Sequence, residues 1–381
     1  MLKDATAIAG IGETRFARSL PESELELACE AISKALDDAG VAPREVDALS
    51  CFSYEVTPEF EIARNLGFGE LHFFSQSPYG GGAMCGAVGQ LALAIAAGVA
   101  NVGVAWRSRK RGDPSKRMWA SVEPRVKDHW KWSRPQGLVR PVDEVAVLAR
   151  RYMHEYGVTR AELAEVALTL RAYANRNPRA MMFDRTLSAQ EYMAGRMISD
   201  PLCLYDNCLE SDAAVALVLT RSDHARDLRQ RPVYLHAFSQ GMTQQHQVMT
   251  DYHGANPLRS SSWATAKNLW RQSDFKPCDV DVAQFYDAFS PLILFSLEAY
   301  GFCGPGEAAA FVAGGGIGPG GALPTNTSGG SLSEAYIHGF NLITECVRQL
   351  RGQADTTIPH AAVGLVTACD STPNGALLLR R

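Results

Sequence analysis

The hydrophobic positions of this chain follow two alternating patterns, short apolar runs and longer segments with helical spacing. The apolar runs ATAIAGIGET, VDALSCFSY and NVGVAW are typical of β-strands. Between them, SELELACEAISKALDDAG has the apolar spacing of an amphipathic helix, and GAVGQLALAIAAG that of a buried one. Strands that alternate with helices predict an α/β protein whose sheet is covered by helices on both faces.

The second part of the chain repeats the pattern of the first. PREVDALSCFSYEVTP is similar to KPCDVDVAQFYDAFSP, since both place Val-Asp, an apolar strand, an aromatic residue, an acid and a proline in the same order. SPYGGGAMCGAVGQLALAIAAG is similar to NTSGGSLSEAYIHGFNLITECVRQLRG, in which a glycine pair leads into a predicted long helix. We therefore expect an internal duplication, with functional loops where the strand ends of the two halves converge.

This repeat divides the chain into an N-terminal half over 1–225, with an insertion at about 107–200, and a C-terminal half over 226–381. The insertion begins with RSRKRGDPSKRMWASVEPRVKDHWKWSRP, which is rich in Arg, Lys and Trp, and continues with two amphipathic helices. We interpret it as a segment that caps the first half and starts with a solvated or partner-facing loop. Two alternative interpretations stay open for this basic loop. It could bind nucleic acid, or it could bind a phosphate-bearing small molecule with a purine.

Composition narrows the class of protein. The 381 residues are 46% hydrophobic and carry a net charge of -4, so we expect a soluble globular protein without general affinity for nucleic acid or anionic membranes. The longest apolar stretch, AVGQLALAIAAGVANVGVAW, is interrupted by polar residues and glycines, which predicts a buried helix followed by a strand; no secretory signal opens the chain. Its nine cysteines include no CxxC and its nine histidines no HExxH. We therefore predict no metal site, no disulfide framework and a cytoplasmic location.

The glycine-rich segment GGGIGPGGALPTNTSGG does not have the pattern of a nucleotide-binding loop. It contains no P-loop signature, and its glycines do not lie between a strand and a helix in the dinucleotide pattern, so neither ATP nor NAD is predicted. Its closing pair, Gly329 and Gly330, precedes a predicted helix. Backbone amides there could approach an oxyanion or a thioester oxygen, and a simple turn is the alternative.

Tyr286 and Asp287 follow directly on the strand-like run DVDVAQF. A phenol with a pKa of about 10 is a poor acid and a poor base near neutral pH. A tyrosine at the end of a strand can also simply bury its ring and expose its hydroxyl. This segment alone therefore leaves open whether Tyr286 has a chemical role.

Four further motifs carry a family resemblance. GFCGPGEAAAFV, NTSGGSLSEAYIHG, LRGQA and TACDSTPNGALLL, in this order and with the duplicated halves, resemble the thiolase superfamily and most closely its sterol-carrier and lipid-transfer branch. The resemblance covers nearly the whole chain. It implies the α/β thiolase fold, in which two duplicated βαβαβαββ halves form a five-layer αβαβα sandwich, here with an inserted loop and helical region.

The chain departs from the thiolase pattern at the catalytic positions. Thiolases have a nucleophilic cysteine at the start of the first long helix, where this chain has Gly81, and Cys85 lies about one helical turn further along. Tyr286-Asp287 stands where thiolases have Asn-Glu or His-Asp, and Tyr336 stands where they have the histidine of Gly-His-Pro. Cys369 matches a C-terminal family cysteine but is followed by DSTPNG. A chain that cannot form an acyl-cysteine cannot perform ping-pong thiolysis.

These replacements resemble the lipid-transfer-protein-type aldolases of steroid side-chain degradation. The resemblance implies retro-aldol cleavage of a β-hydroxyacyl-CoA steroid side chain, with Tyr286 and Tyr336 as base and acid in either order. We place Tyr336 at the head of the predicted long helix, with His338 as a neighbour that could lower the pKa of a tyrosine. The other candidates are Asp287 and Cys369 beside the catalytic tyrosines, and Gly81, Gly329, Gly330 and His338 at the substrate and its oxyanion.

The resemblance also implies the partners of the reaction. These are a steroid acyl-CoA substrate, a second copy of the chain in a homodimeric core, and a small acyl-CoA-associated protein with an OB-fold and a zinc ribbon; no cofactor or metal is expected in this chain. A three-carbon side chain would yield propionyl-CoA and a 17-ketosteroid, and a five-carbon chain acetyl-CoA and an aldehyde. Two other functions stay open, a thiolase or acyltransferase with Cys85 or Cys369 as relocated nucleophile, and a non-catalytic acyl-CoA-binding scaffold subunit.

Overall fold

A computed structural model of the chain describes residues 2–78, 83–111, 128–243, 254–368 and 374–381. The first elements in chain order are β1 (Thr6–Glu13), α1 (Glu24–Ala39), β2 (Ala48–Phe52), α2 (Glu59–Leu66), β3 (Phe73–Ser77), α3 (Ala83–Ala96) and β4 (Val102–Arg109). Next are α4 (Pro141–Tyr156), α5 (Arg160–Ala174), α6 (Ala189–Met193), β5 (Met197–Ser199), β6 (Leu202–Cys203), β7 (Ala213–Arg221) and α7 (Ser222–Ala225). The last are β8 (Val233–Gly241), α8 (Ser261–Gln272), β9 (Val282–Phe285), α9 (Pro291–Ala299), α10 (Ala308–Ala313), α11 (Gly330–Ser333), α12 (Phe340–Arg351), β10 (Val363–Thr367) and β11 (Asn374–Arg380).

One mixed sheet runs through the described residues, with its strands in the order β3-β2-β4-β7-β1-β8-β11-β10-β9. On the first side β2 is parallel to β3 and β4, and β4, β7 and β1 pair antiparallel. On the second side β9 is parallel to β10, and β10, β11 and β8 pair antiparallel. The same order on both sides confirms the predicted duplication. The two sides join where Ala7 pairs with Tyr234 and Ile8 with Val233, and the predicted boundary at 225/226 falls between α7 and β8.

Two helices lie between the two sides of the sheet. α3 packs on β2, β3 and β4 of the first side and also on β8 and β11 of the second. α12 packs on β9 and β10 of the second side and also on β1 and β7 of the first. Outside them, α1 covers β1, β7 and β4, and α8 covers β8 and β11. The layers are therefore helix, sheet, helix, sheet and helix, as the five-layer sandwich requires.

The outer helix α1 shows how local sequence positions these layers. Ser23 starts the helix, because its hydroxyl accepts from the Glu26 amide while the Glu26 carboxylate accepts from the Ser23 amide. Gly40 ends it in the left-handed region, with a φ of 75°. Apolar side chains recur between them every three or four residues and are buried. Gly12 of β1 permits the close approach of α1, because a Cβ atom there would lie 2.1 Å from the backbone oxygen of Ala31.

The longest apolar stretch of the sequence folds as predicted, as a helix that leads into a strand. α3 ends at Ala96, and the buried strand β4 starts at Val102. Within the described ranges, no helix combines the length and the apolar character that crossing a bilayer requires.

The start of the predicted insertion belongs to the sheet. β4 continues to Arg109 and pairs there with Ala213 of β7. The side chains of Arg107, Arg109 and Arg111 are buried. The prediction of a solvated or partner-facing loop is therefore wrong at these positions, because pairing with β7 carries the strand through them. The rest of the basic, tryptophan-rich tract, 112–127, lies outside the described residues.

The helices of the insertion pack on the second half, so the prediction that they cap the first half is wrong. α5 packs on α10 and α11. Tyr152 of α4 packs edge-on against Phe295 of α9, with ring centroids 5.5 Å apart, and its hydroxyl donates to Glu298 at 2.5 Å. The physical reason is that α9 is buried along its whole length and needs an apolar cover on its outer side.

Candidate active site

Tyr286 and Tyr336 meet in the interior of the protein. Their hydroxyl oxygens are 2.6 Å apart and their rings are edge-on, with centroids separated by 6.0 Å. Tyr286 follows β9, and its amide donates to the Thr367 carbonyl of β10 at 3.1 Å. Tyr336 lies in the turn between α11 and α12, not at the head of the long helix as predicted, and its amide donates to Ser211 Oγ at 3.0 Å. The structure thus brings the two predicted tyrosines into direct contact.

Gly339 leaves the space that the contact between the two tyrosines requires. Gly339 has a φ of 81°, in the left-handed region. A Cβ atom there would lie 2.1 Å from Met84 Sδ and 2.9 Å from Tyr286 Cδ2. Gly339 therefore lets the turn that carries Tyr336 lie directly against the ring of Tyr286.

Asp287 fixes the start of α11, the short helix that precedes the turn with Tyr336. Its two carboxylate oxygens accept from the amides of Ser331 and Leu332, at 2.8 and 3.1 Å, in the first turn of α11. Burial raises the pKa of Asp287 to about 6, although these amides favour the charged form. The carboxyl is therefore positioned to orient the segment before Tyr336, and its predicted supporting role in catalysis stays a prediction.

One glycine of the pair, Gly330, lies against this carboxylate. Gly330 has a φ of 59°, and a Cβ atom there would lie 2.3 Å from Asp287 Oδ2. The amide of Gly329 donates to the Asn326 carbonyl at 2.8 Å, so it is engaged within the protein. A role of Gly330 at a substrate oxygen stays a prediction. Gly81 and Cys369 lie outside the described residues.

Three arginines at alternate positions of β4 and its extension approach the tyrosine pair. Arg107, Arg109 and Arg111 share one face, because side chains of a strand alternate with a period of two. The guanidinium carbon of Arg109 lies 4.9 Å from the ring centroid of Tyr336. The pKa of Arg109 is lowered to about 9, first by burial and then by the other two arginines, while Tyr336 raises it. Arg109 is still a cation at neutral pH.

Sequence reasoning missed these arginines. The signal that could have found them is the pattern VGVAWRSRKR, in which a strand period continues from apolar positions into alternate arginines. The high basic content of this segment indicates a solvated loop instead, because isolated charged side chains are seldom buried.

His338 lies between two of these arginines. Arg107 Nε lies 3.1 Å from His338 Nδ1, and Arg109 Nη1 lies 2.6 Å from His338 Nε2 and 2.9 Å from Nδ1. Burial and the adjacent guanidinium groups hold the pKa of His338 well below its ordinary value. Its ring touches Tyr336 edge-on, with centroids 5.0 Å apart. His338 is thus a neighbour of Tyr336 as predicted, but it is neutral and cannot supply positive charge; Arg109 supplies it.

A buried ion pair supports this arrangement from behind. Arg107 Nη1 donates to Glu55 Oε2 at 3.0 Å, and the same oxygen accepts from the Ser108 amide at 2.7 Å. Thr57 Oγ1 donates to Glu55 Oε1 at 2.8 Å and accepts from Trp106 Nε1 at 2.9 Å. Glu55 therefore neutralises Arg107 and fixes the end of β4.

The pKa of Tyr336 reflects opposing effects. Burial, and after it the nearby thiol of Cys208, raise the pKa of Tyr336 above its ordinary value. Arg109, the hydrogen bond with Tyr286 and Arg111 act in the opposite direction. Burial dominates, so Tyr336 is a neutral phenol at neutral pH that can donate and accept one hydrogen bond at once.

The cysteines of the site are protonated thiols. Burial raises the pKa of Cys208 to about 12, and sequence reasoning had not singled out this residue. Cys85 is buried in α3 with its Sγ 3.8 Å from the Val366 carbonyl, and burial raises its pKa too. A buried thiol with a raised pKa is a poor nucleophile. In the part of the chain that the structure describes, no group of three or more His, Cys, Asp or Glu is arranged to hold a metal ion.

Comparison with known proteins agrees with this fold. Residues 240–376 match the family described as Thiolase C-terminal domain-like. The acetyl-CoA acetyltransferase of Syntrophomonas wolfei superposes with a TM-score of 0.70 over 98% of both chains at 15% identity, a likeness of fold alone. The solved Ltp2-ChsH2(DUF35) aldolase superposes with a TM-score of 0.94 at 41% identity, over 100% of this chain and 98% of that chain. The class is therefore that of proteins with a thiolase fold.

Full-length relatives specify the class further. The chain is 42% identical over 386 residues to the 17-hydroxy-3-oxo-4-pregnene-20-carboxyl-CoA lyase of Mycobacterium tuberculosis, covering 100% of both chains. It is 40% identical to the steroid side-chain-cleaving aldolase of Thermomonospora curvata, over 100% of this chain and 98% of the relative. The chain belongs to the family of steroid side-chain-cleaving aldolases.

Proposed function

We propose that this chain catalyses retro-aldol cleavage of the three-carbon side chain of a 17-hydroxysteroid CoA ester, giving a 17-ketosteroid and propionyl-CoA. The observation that carries the proposal is the 2.6 Å contact between the hydroxyls of Tyr286 and Tyr336. The name of the Mycobacterium tuberculosis relative supports the substrate, because its 17-hydroxyl is β to the thioester carbonyl. Breaking the bond between C17 and C20 then leaves a ketone at C17.

The chemistry needs three contributions. A base must take the hydroxyl proton, the thioester enolate must be stabilised, and an acid must protonate the α-carbon. Two touching phenols offer a proton acceptor and a proton donor at one place. The buried cation of Arg109 favours negative charge beside them. No acyl-cysteine intermediate is part of this mechanism, and CoA enters as part of the substrate, without a cofactor or metal in the chain.

The assay measures release of propionyl-CoA from the synthetic CoA ester with the three-carbon steroid side chain. The chain is co-purified with the small OB-fold protein that we propose as its partner. We expect Tyr286→Phe and Tyr336→Phe each to lower kcat by about 100-fold or more. The matched control is Tyr173→Phe, which removes another buried hydroxyl, one that donates to the Ile317 carbonyl at 3.3 Å; it should keep turnover. Melting temperatures verify that all three variants fold.

Several outcomes would contradict the proposal. Near-normal turnover in both tyrosine variants would remove the tyrosines from the mechanism. Tight acyl-CoA binding without product in any combination with the partner would indicate a scaffold subunit. An acyl adduct in the intact mass of the protein would indicate a thiolase with a relocated cysteine. Acetyl-CoA from the five-carbon ester, with none from the three-carbon ester, would contradict the proposed substrate.

The proposal includes two protein partners. A homodimer is supported by β3, which is the edge of the sheet beyond β2 and exposes 66% of Phe74, with Phe60 60% exposed nearby in α2. A small OB-fold and zinc-ribbon protein is supported by the solved relative, an Ltp2-ChsH2(DUF35) aldolase. In Phe74→Lys the charge placed on β3 should prevent dimerisation, so sedimentation should show a monomer. A dimer in this variant would show that β3 is not the dimer interface. Neither nucleic acid nor membrane takes part, and the scattered cysteines support a cytoplasmic location.

A further inference from the structure

We propose that Arg109 is a positioning residue that directs a positive charge at the Tyr286–Tyr336 pair, and that His338 holds Arg109 there without contributing charge. This inference rests on the proposed retro-aldol function and specifies how the tyrosine pair moves protons during it.

The pair can relay protons without a net gain or loss. As the C17–C20 bond breaks, the proton of the substrate hydroxyl passes to one tyrosine oxygen, and its O–H electrons become the ketone double bond. The electrons of the C17–C20 bond form the thioester enolate. The first tyrosine passes its own proton across the 2.6 Å contact, and the second protonates C20. Each tyrosine gives one proton and takes one, so the pair ends as it began.

During this relay negative charge develops on a phenol oxygen in a dry interior. Both tyrosines are buried, with 2% of Tyr286 and 7% of Tyr336 exposed. Charge is costly in such a place unless an opposite charge is near. Arg109 meets this need, because its guanidinium lies over the ring of Tyr336.

The charge of Arg109 is not cancelled by a neighbouring carboxylate. Among the described residues no carboxylate lies within ion-pair distance of Arg109, whereas Arg107 is paired with Glu55 at 3.0 Å. The titratable and charged groups that surround the pair are Arg107, Arg109 and Arg111 from β4 and its extension, Cys208 and Glu210 before β7, Asp287 after β9, and His338 before α12.

A neutral imidazole is suited to orient such a cation. A carboxylate at the place of His338 would hold Arg109 but would also cancel its field at the tyrosines. A neutral imidazole has one acceptor nitrogen, and with the acceptor at Nε2 it accepts from Arg109 Nη1 at 2.6 Å and leaves the charge of that guanidinium intact. His338 reaches this place with a φ of 50°, a conformation that Asn adopts more readily than most residues.

The first test needs no substrate. The ionisation of the pair is followed by near-ultraviolet absorbance in a protein that carries a fluorotyrosine at positions 286 and 336, because its more acidic phenol ionises at a pH at which Arg109 is still charged. The reference is the same protein with both Tyr286→Phe and Tyr336→Phe. Arg109→Met is expected to raise the pH at which the pair ionises by about one to three units, because an adjacent cation favours the phenolate. His338→Ala, which leaves β4 intact, should move it in the same direction, and His338→Asn should restore it.

The second test is the pH profile of cleavage. Arg109→Met is expected to lower kcat about 100-fold with little change in KM and to move the alkaline limb of activity to higher pH. Arg109→Lys should keep the limb near its wild-type position. The control is Arg221→Met, at an exposed arginine paired with Asp223, which should leave both readings unchanged. A residue with a merely structural role would lower kcat without moving the limb.

Different results would contradict the role of Arg109 and the proposed retro-aldol function. An unmoved tyrosinate titration in folded Arg109→Met and His338→Ala would overturn the role of Arg109, whatever the cleavage rates. Absence of cleavage by the wild-type protein with its partner would overturn the proposed function, and the titration would still decide whether Arg109 acts on the pair.

Discussion

Asn177 Nδ2 donates to the carboxylate of Glu334 at 2.9 Å and so joins the segment after α5 to the turn that carries Tyr336. Ser328 Oγ and Asn341 Nδ2 donate to the other carboxylate oxygen, each at 2.8 Å. Glu334 is completely buried. The inserted helices are thereby connected, through one carboxyl group, to the turn that carries Tyr336.

Glu334 makes the stability of the protein depend on pH. Burial, together with the charges of Glu13 and Glu345, raises the pKa of Glu334 from an ordinary 4.5 to about 8. The folded state therefore binds more protons than the unfolded state between these values, so this contribution to stability is present below pH 4.5 and is lost as the pH rises through 8. Glu334→Gln should flatten the fall in melting temperature from pH 5 to pH 8. An equally steep fall in the variant would assign the pH dependence to other groups.

The close approach of Gly330 to Asp287 predicts a large cost for a single methyl group. In Gly330→Ala the new Cβ would lie 2.3 Å from Asp287 Oδ2 and 2.7 Å from Asn326 Nδ2, and we expect a loss of about 3–5 kcal/mol in the free energy of unfolding. Gly352→Ala is the matched control, since its φ is 72° with nothing within 4 Å; it should cost about 1 kcal/mol from backbone strain alone. Denaturant unfolding of both variants measures the difference, and equal losses would show that the steric contact is unimportant.

The docking of α4 on α9 depends on a buried hydrogen bond. Tyr152→Phe leaves Glu298 without its hydroxyl donor, so we expect a loss of about 1–3 kcal/mol in the free energy of unfolding. Tyr156→Phe is the control, because Tyr156 packs on Tyr152 with ring centroids 5.0 Å apart but lies nearer the surface. Chemical denaturation should separate the two variants. A Tyr156→Phe variant as unstable as Tyr152→Phe would contradict the importance of the Glu298 contact.

Cys85 is expected to be dispensable for chemistry. Cys85→Ala removes a buried thiol that contacts the Val366 carbonyl at 3.8 Å, so a small loss of stability, about 1 kcal/mol, follows from the vacated volume. The kcat for side-chain cleavage should stay unchanged. Product release under saturating substrate measures kcat. A folded but inactive variant would support the alternative function, in which Cys85 is a relocated nucleophile.

Much of the site could be predicted from local sequence. Tyr286 and Asp287 are placed by the strand that precedes them, and the carboxylate then binds the first amides of α11. Tyr336 could be recognised as its counterpart by resemblance to a family motif. The turn that carries Tyr336 could not be distinguished from a helix start, because its shape depends on left-handed residues at His338 and Gly339.

The duplicated alternation of strands and helices follows from local periodicity, and the resemblance to a family motif identified Tyr286 and Tyr336. No local pattern marked Gly339 as the residue that lets the two tyrosines meet. The burial of Arg107 and Arg109 beside His338 depends on long-range packing, because His338 is 231 residues from Arg107 along the chain. The reason is physical: whether a charged side chain is solvated depends on what packs over it, and no local pattern specifies that. The sequence around Arg109 indicates an exposed charge, whereas in the fold Arg109 is buried over the ring of Tyr336.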